Sequence, residues 1–375
     1  MTAYFDNSAT TKPCPEAVEA AMAALTECWG NPSSIHRMGT EARAILTAAR
    51  REVARAMGAE EDRVFFTSGG TEADNWAIFS SVERLKKRGN HIITTAVEHH
   101  AVLNAVKKLE QQGFDVTYLQ PDNLGQITVA QLQQALRKDT IFVSVMLVNN
   151  ETGAVMPVEK MAKLTHRICP NALFHTDAVQ ALFKVPFQAK TLGADLISVS
   201  AHKVHGMKGA GALYIKKGLT LPPFFHGGGQ ETGYRSGTEA LPAIAAFGAA
   251  CKAEYPTRTE DIRRQCALRD LLRERLAEID GVELIGAAQA PQIVGCAIPG
   301  VPSQNTINIL QDHGCYVSAG SACSRGHRSH VLQACGLSPE VIDGSFRISL
   351  SRYTTEAEVE QLIAAVRAVL ERMKR

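Results

Sequence analysis

Three side chains in this sequence, Cys323, Lys203 and Asp177, stand among neighbours that favour reactivity over packing. Cys323 lies in "SAGSACSRGHRSH", where Ser318, Gly320, Ser321, Ser324 and Gly326 are the residues of an exposed turn rather than of a core. Arg325, His327 and Arg328 follow closely, and their charge favours a thiolate as far as water does not screen it. The same stretch admits a zinc reading through Cys323, His327, His330 and Cys335, although that spacing matches none of the usual paired patterns. Lys203 follows a β-branched run in "SVSAHKVHGMKGAGALY". A lysine at a strand end among neutral or cationic neighbours has a depressed pKa and forms Schiff bases; in open solvent it is only a charge. Asp177 and Gln180, in "HTDAVQ", follow another strand, at the edge where open α/β sheets bind ligands. There an aspartate holds a protonated ring nitrogen and a glutamine donates to a phenolic oxygen; the competing role for Asp177 is a helix cap.

Four further stretches complete the set. In "FFTSGGTEADN" a strand ends at Ser68-Gly69-Gly70 and a helix begins at Thr71, with Asp74 placed three residues on as in a capping box. Free N–H groups and the positive end of a helix dipole converge there, which makes a phosphate seat, although no Gly-Lys-Ser/Thr follows to make it a Walker loop. "AVEHHAVL" sets His99 and His100 after a strand; one of them can stack on a flat ring and exchange protons near neutrality, and His100 is the expected bystander. "VNNETG" and the arginine of "SFRISLS" pair a polar cluster with Arg347, a buried cation whose carboxylate partner a substrate can supply. A phosphate seat, a ring-nitrogen acid and a Schiff-base lysine, all at strand ends of one sheet, are the parts of a pyridoxal phosphate site.

These residues need a sheet to hold them. "RVFFTS", "HIITTAV", "DVTYLQ", "TIFVSVMLV", "ALFHTD" and "DLISVS" are β-branched runs mostly separated by helical spacing, which predicts a largely parallel sheet covered by helices, with "GALYIKK" as one more strand. Helices are predicted from Pro15 to about Cys28, from Thr40 to Met57 and from about Thr238 to Glu254. "YPTRTED" then marks a boundary before a smaller α+β part. With 375 residues the chain is expected to form two domains, a large one over 16–255 and a small one from 1–15 and 256–375. Forty basic and 38 acidic residues, spread evenly, give no electrostatic reason for a nucleic-acid or membrane partner, so small molecules are the expected ligands. The start lacks the pattern of a secretion signal, and nine cysteines without CxxC pairs suit a reducing compartment, so the expected location is cytoplasmic. Most of these cysteines, including Cys251, Cys266 and Cys296, read as core filler.

The motifs "YFDNSATT", "GNPSSIH", "FTSGGTEADN", "EHHAVL", "NNETG", "HTDAVQ", "SAHKVHGMKGAGALY", "GGGQETGYRSGTE", "GSACS", "SHVL" and "RISLSRYTT" resemble, in order and spacing over essentially the whole chain, the cysteine desulfurases of the class V aminotransferase fold. The resemblance implies a fold type I homodimer that binds pyridoxal 5'-phosphate and takes sulfur from L-cysteine. It also implies roles: Lys203 as the Schiff-base lysine, Asp177 at the pyridine nitrogen, Gln180 at the ring oxygen, and His99 stacked on the ring. Gly70, Thr71, Ser200 and His202 would hold the phosphate, with Thr238 supplied by the second subunit. Asn150 and Arg347 would grip the substrate carboxylate. Cys323 would be the nucleophile that leaves as a persulfide, while His99 handles the substrate thiol proton and no metal is used. A selenocysteine lyase or another class V lyase is the alternative within the family. Two departures concern the sulfur-acceptor protein, whose identity the sequence does not give. Only "SRGHR" separates Cys323 from the Ser-His pair, shorter than in scaffold-linked relatives, and the chain ends at Arg375 where those relatives continue into a tail.

Overall fold

The computed structural model describes residues 2–319 and 328–373. After β1 (Ala3–Tyr4), helices α1 (Pro15–Thr26) and α2 (Arg37–Met57) lead into a run in which strands and helices largely alternate. In chain order these are β2 (Val64–Thr67), α3 (Gly70–Leu85), β3 (His91–Thr95), α4 (His100–Gln111), β4 (Asp115–Leu119), α5 (Val129–Ala135) and β5 (Thr140–Ser144). They continue with α6 (Val158–Ile168), β6 (Leu173–Asp177), α7 (Ala189–Leu192), β7 (Leu196–Ser200) and β8 (Gly211–Ile215). Seven strands form one sheet in the order β2-β8-β7-β6-β5-β3-β4. Strands β3 to β7 pair in parallel, whereas β8 runs antiparallel to both β2 and β7, which leaves β2 pointing the same way as the parallel set. Every residue of β3, β5, β7 and β8 is buried, the pattern required when helices cover both faces, and only the edge strand β4 shows polar exposure. The expected α/β class with a mainly parallel sheet is borne out.

Helix α8 (Leu241–Glu254) packs against α1 and α2 through small side chains. A Cβ at Gly248 would stand 2.5 Å from Ala49 Cα, so any larger residue there would force α2 and α8 apart. The helix starts at Leu241 rather than at Thr238 because Pro242 occupies its first turn, where a missing N–H does no harm.

Beyond α9 (Arg258–Ala277) lie β9 (Glu283–Ile285), β10 (Ile293–Ala297), α10 (Ser303–Asp312), β11 (Cys315–Tyr316), β12 (Ser318–Ala319), α11 (His330–Ala334), α12 (Pro339–Asp343), β13 (Ser345–Ser349) and α13 (Glu356–Met373). Four of these strands form an antiparallel sheet in the order β12-β13-β10-β9, and β11 pairs in parallel with β1. Phe5, Leu272, Val294, Phe346, Ile348 and Leu362 share the core beneath them. The N-terminal segment is thereby stitched to β13: Asn7 Nδ2 donates to the Ser349 carbonyl at 2.8 Å and Ser8 N to Ser349 Oγ at 2.9 Å. Cys251 and Cys296 are fully buried, as expected of core filler, while Cys266 is only half-buried.

The loop before α8 is fixed by a buried ion pair. Glu231, in a left-handed backbone conformation (φ 48°), receives Arg50 through both carboxylate oxygens at 2.6 and 2.7 Å, and its Oε2 also accepts the Phe66 N–H of β2 at 2.8 Å. Glu231→Ala would leave the Arg50 charge and a buried N–H without their partner, so unfolding in urea is expected to show a loss of about 3 kcal/mol. Glu231→Gln, which keeps an acceptor for Phe66, is expected to lose less. Equal losses would show that the acceptor for Phe66 contributes nothing and that the charge of Glu231 carries the whole effect.

Candidate active site

The C-terminal ends of β2, β3, β5, β6 and β7 open on one cavity of about 810 Å³, closed on the far side by β12, β13 and the start of α11. Its walls include Gly70, Thr71, His99, Asn150, Asp177, Gln180, Ser200, His202, Lys203 and Arg347, so the structure brings together ten of the twelve predicted site residues. Thr238 is not among them. It lines a separate small hollow with Ser68, Gly209 and Arg235. Cys323 lies outside the described residues.

Lys203 follows β7 on a single 3₁₀ turn, Ala201–Lys203, which swings the side chain off the sheet edge. Its Nζ donates to the carbonyls of Ser8 and Ala9 at 2.6 and 2.7 Å, contacts available only because the N-terminal segment folds back over the sheet. Burial and the Arg347 charge push its pKa down to about 8, against the opposing pull of Asp177 and Asp6.

Asp177 ends β6, and its Oδ1 accepts the Val179 N–H at 2.8 Å, stabilising a turn rather than capping a helix. Burial raises its pKa while Val179 and Lys203 hold it down. Asp74 and Glu98 are buried nearby, and three carboxyls so close in apolar surroundings cannot all ionise. Burial lifts Glu98 to about 8 and Asp74 well above the usual range, which leaves Asp177 the most readily ionised of the three. The expected capping box is absent. Helix α3 begins at Gly70, Asp74 points inward with Oδ1 3.5 Å from His175 Nε2, and Glu72 instead accepts the Ser68 N–H at 3.0 Å.

His99 caps α4, its Nδ1 accepting the Ala101 N–H at 3.2 Å, so the ring hydrogen resides on Nε2. Burial, Lys203 and His100 push its pKa down to about 4. The ring is therefore neutral rather than half-charged near neutrality, with Nδ1 engaged by Ala101, which suits a stacking surface and an N–H donor. His202, hydrogen-bonded to Thr10 Oγ1 at 3.3 Å, is held to about 4 by burial and the lysines around it, so it too is a neutral donor. The ring of His100 lies 4.6 Å from that of His330, and both line the cavity.

Arg347, on β13, is buried as expected, but its carboxylate partner within the chain is Asp6 (Nη2 to Oδ1, 3.0 Å), and its Nη1 donates to the Asn150 carbonyl at 2.9 Å. Sequence reasoning missed Asp6, Glu98 and Glu151, although all three stand inside or beside stretches it singled out. Arg328, expected to lend charge to a thiolate, is instead paired through Nε and Nη2 with the two carboxylate oxygens of Asp343, each at 2.7 Å. Of the residues weighed as zinc ligands, Cys335 is packed in the main core and His330 Nε2 donates to the Glu98 carbonyl at 3.0 Å; Cys323 and His327 lie outside the described residues.

The cavity has a polarity to match a ligand. At one end the first bond of α3 runs from Ala73 N to the Gly69 carbonyl, which leaves the N–H groups of Gly70, Thr71 and Glu72 outside the helix ladder. A Cβ at Gly70 would meet Val179 Cγ2 at 2.7 Å, so the close approach there depends on glycine. Among the described residues Ser200 Oγ, Ser8 Oγ and Gln180 Oε1 are buried without a partner, and Gln180 Nε2 uses one hydrogen on the Ser8 carbonyl. These donors fit a planar ring carrying a phosphate at the α3 end and a cationic nitrogen at the Asp177 end.

Residues 3–362 match the family model described as aminotransferase class-V. The chain is 41% identical over 375 residues to a cysteine desulfurase IscS of Methanosarcina thermophila, covering 99% of this chain and 92% of that protein. Among solved structures, a NifS-like protein superposes with a TM-score of 0.93 at 36% identity, covering 99% of this chain and all of the other. The structure titled SspA in complex with cysteine superposes with a TM-score of 0.78 at 31% identity, covering 94% of this chain and all of that one.

Proposed function

This chain belongs to the aminotransferase class-V family and is a cysteine desulfurase, and we propose that it works by presenting L-cysteine, held at Arg347 and Asn150, to Lys203 and then to Cys323. The observation that carries the reading is the convergence of Lys203, Asp177, the α3 N-terminus and Arg347 on one cavity. Family members depend on pyridoxal phosphate, and in this chain Gly70, Thr71, Ser200 and His202 would hold its phosphate, Asp177 its ring nitrogen, Gln180 its ring oxygen and His99 its face. When bound, that group would supply an electron sink that makes the substrate Cα–H acidic and lets Cβ keep the electron pair of its bond to sulfur when a thiolate attacks that sulfur. Lys203 would anchor it and would act as the base that moves the Cα proton. In the net reaction the substrate Cβ–S bond breaks, an S–S bond forms to Cys323 Sγ, and Cβ gains a proton, giving L-alanine and a persulfide.

A homodimer accounts for Thr238, which reaches no part of its own chain's cavity and would complete the phosphate seat of the partner. Exposed apolar residues on α1, Val18, Met22 and Leu25, continue into Trp29 and Ile35 and offer such a contact a surface. The corresponding division of the chain is a large domain over 16–255 and a small one from 1–15 and 256–375. Among the described residues no helix is long and apolar enough to cross a membrane. The acceptor is a protein able to take a persulfide sulfur.

The test is to supply L-cysteine and measure alanine against protein-bound persulfide, which should appear one for one in the first turnover. Turnover of L-selenocysteine with none of L-cysteine would favour the lyase instead. Arg347→Ala is expected to raise the Michaelis constant for cysteine by about one to two decades with a smaller change in kcat, since a charge-assisted contact of about 1.5–3 kcal/mol is lost. An unchanged Michaelis constant would reduce Arg347 to a tether for Asp6.

A further inference from the structure

Glu151 has no role in the reading above, yet its side chain lines the cavity next to the Arg347 seat. It follows Asn150, whose carbonyl accepts from Arg347, so it stands at the end of the cavity where a substrate carboxylate would lie. Ser329 Oγ sits 2.6 Å from Glu151 Oε2 and, as the cap of α11, also accepts the Leu332 N–H at 3.2 Å. A hydroxyl has a single hydrogen to donate, and here it goes to Oε2. Oε2 is therefore an acceptor, and a proton on this carboxyl belongs on Oε1. Among the described residues no other group bonds to the carboxyl.

The charges around it are nearly matched before any substrate arrives. Arg347 on β13 is already shared with Asp6, and Arg328 is taken by Asp343. From α11 come His330 and the neutral thiol of Cys335, pushed up to about 12; His99 and His100 stand at the start of α4, and Lys203 follows β7. A substrate carboxylate would be the second anion on one guanidinium, and an ionised Glu151 the third. We propose that Glu151 receives the substrate as a neutral acid, its Oε1 hydrogen donated to the carboxylate that Arg347 holds, so that carboxylate binding draws one proton from solvent. This rests on the reading of Arg347 and Asn150 as the carboxylate seat. Burial, partly opposed by Ser329 and Arg347, raises Glu151 to about 7, so the proton is available at neutral pH.

The probe is 3-mercaptopropionate, which has the thiol and carboxylate of cysteine but no amine, and none of its own groups titrates between pH 6 and 8.5. Its binding to the cofactor-loaded protein is followed by calorimetry in two buffers of different ionisation enthalpy. The wild type is expected to take up close to one proton at pH 8, and its Kd to rise about 30-fold from pH 6 to 8.5 as a group of pKa about 7 loses its proton. Glu151→Gln keeps an acceptor for Ser329 and a neutral donor toward the ligand, so it should bind without proton uptake and with a flat Kd. Glu151→Leu should bind at least about tenfold more weakly than the wild type at pH 6. Undiminished proton uptake in Glu151→Gln, no uptake in the wild type, or wild-type affinity in Glu151→Leu would each overturn the proposal. A wild type that forms alanine from cysteine yet shows no uptake sinks the role of Glu151 alone; normal uptake without alanine sinks the desulfurase reading alone.

Discussion

Lys203→Ala is expected to form no alanine from cysteine above a background at least about 10³-fold below the wild type, because one substitution removes both the covalent anchor and the base. The surrounding structure gives the lysine what both tasks need. With a pKa of about 8 rather than the usual 10.5, about a quarter of its amine is neutral at pH 7.5 instead of about a thousandth. Only the neutral amine is a nucleophile, so covalent capture of added pyridoxal phosphate by the wild type should quicken with rising pH through about 8 and level off above it. The alanine variant keeps Asp177, Ser200 and the α3 N-terminus, so it should still take up pyridoxal phosphate, but borohydride should fail to fix it to the protein. Normal alanine production by the variant would end the assignment of Lys203, and capture that is flat with pH would show that burial does not tune it.

How much of this site could be read from the sequence depends on how local each contact is. Lys203, Asp177 and Gln180 were legible because each closes a β-branched run, and the parallel sheet puts all such ends on one edge. The seat at Gly70 was legible for the same reason, although the cap was not: Asp74 has cap-like spacing, but burial against His175 claims it for the interior. Arg347 was recognisable as a buried cation. Its partner was not, because Asp6 is 341 residues away and arrives only through the pairing of β1 with β11 and of the following segment with β13. Glu151 and Glu98 sit in quoted motifs, yet nothing in a motif says how deeply a carboxyl is buried, and burial is what makes these two unusual. His99 was found, but its protonation state was not legible. Its neutral ring follows from Ala101 holding Nδ1 and from the burial and cationic neighbours around it, which are facts of packing.

Cys323→Ser is expected to bind cysteine normally and to place no sulfur on the protein, since a serine hydroxyl cannot leave as a persulfide. The two ends of the segment that carries Cys323 are held at the cavity wall. On one side Ser318 and Ala319 pair with Arg347 and Phe346 of β13; on the other Arg328 is tied to Asp343 and Ser329 to Glu151. Cys323 is four residues beyond Ala319, and at about 3.3–3.6 Å per residue the chain confines it within about 14 Å of that anchor, whatever its conformation. Delivery of sulfur to an acceptor protein is then limited by reach, whereas reduction by a small thiol is not, because a small molecule can come to the sulfur. Inserting a few glycines after Ser324 should therefore change transfer to the acceptor more than it changes alanine formation with dithiothreitol as reductant. The two assays belong side by side, on cysteine carrying labelled sulfur. Label on another cysteine of Cys323→Ser at the wild-type rate would refute the carrier role, and equal effects of the insertion on both assays would refute the argument from reach.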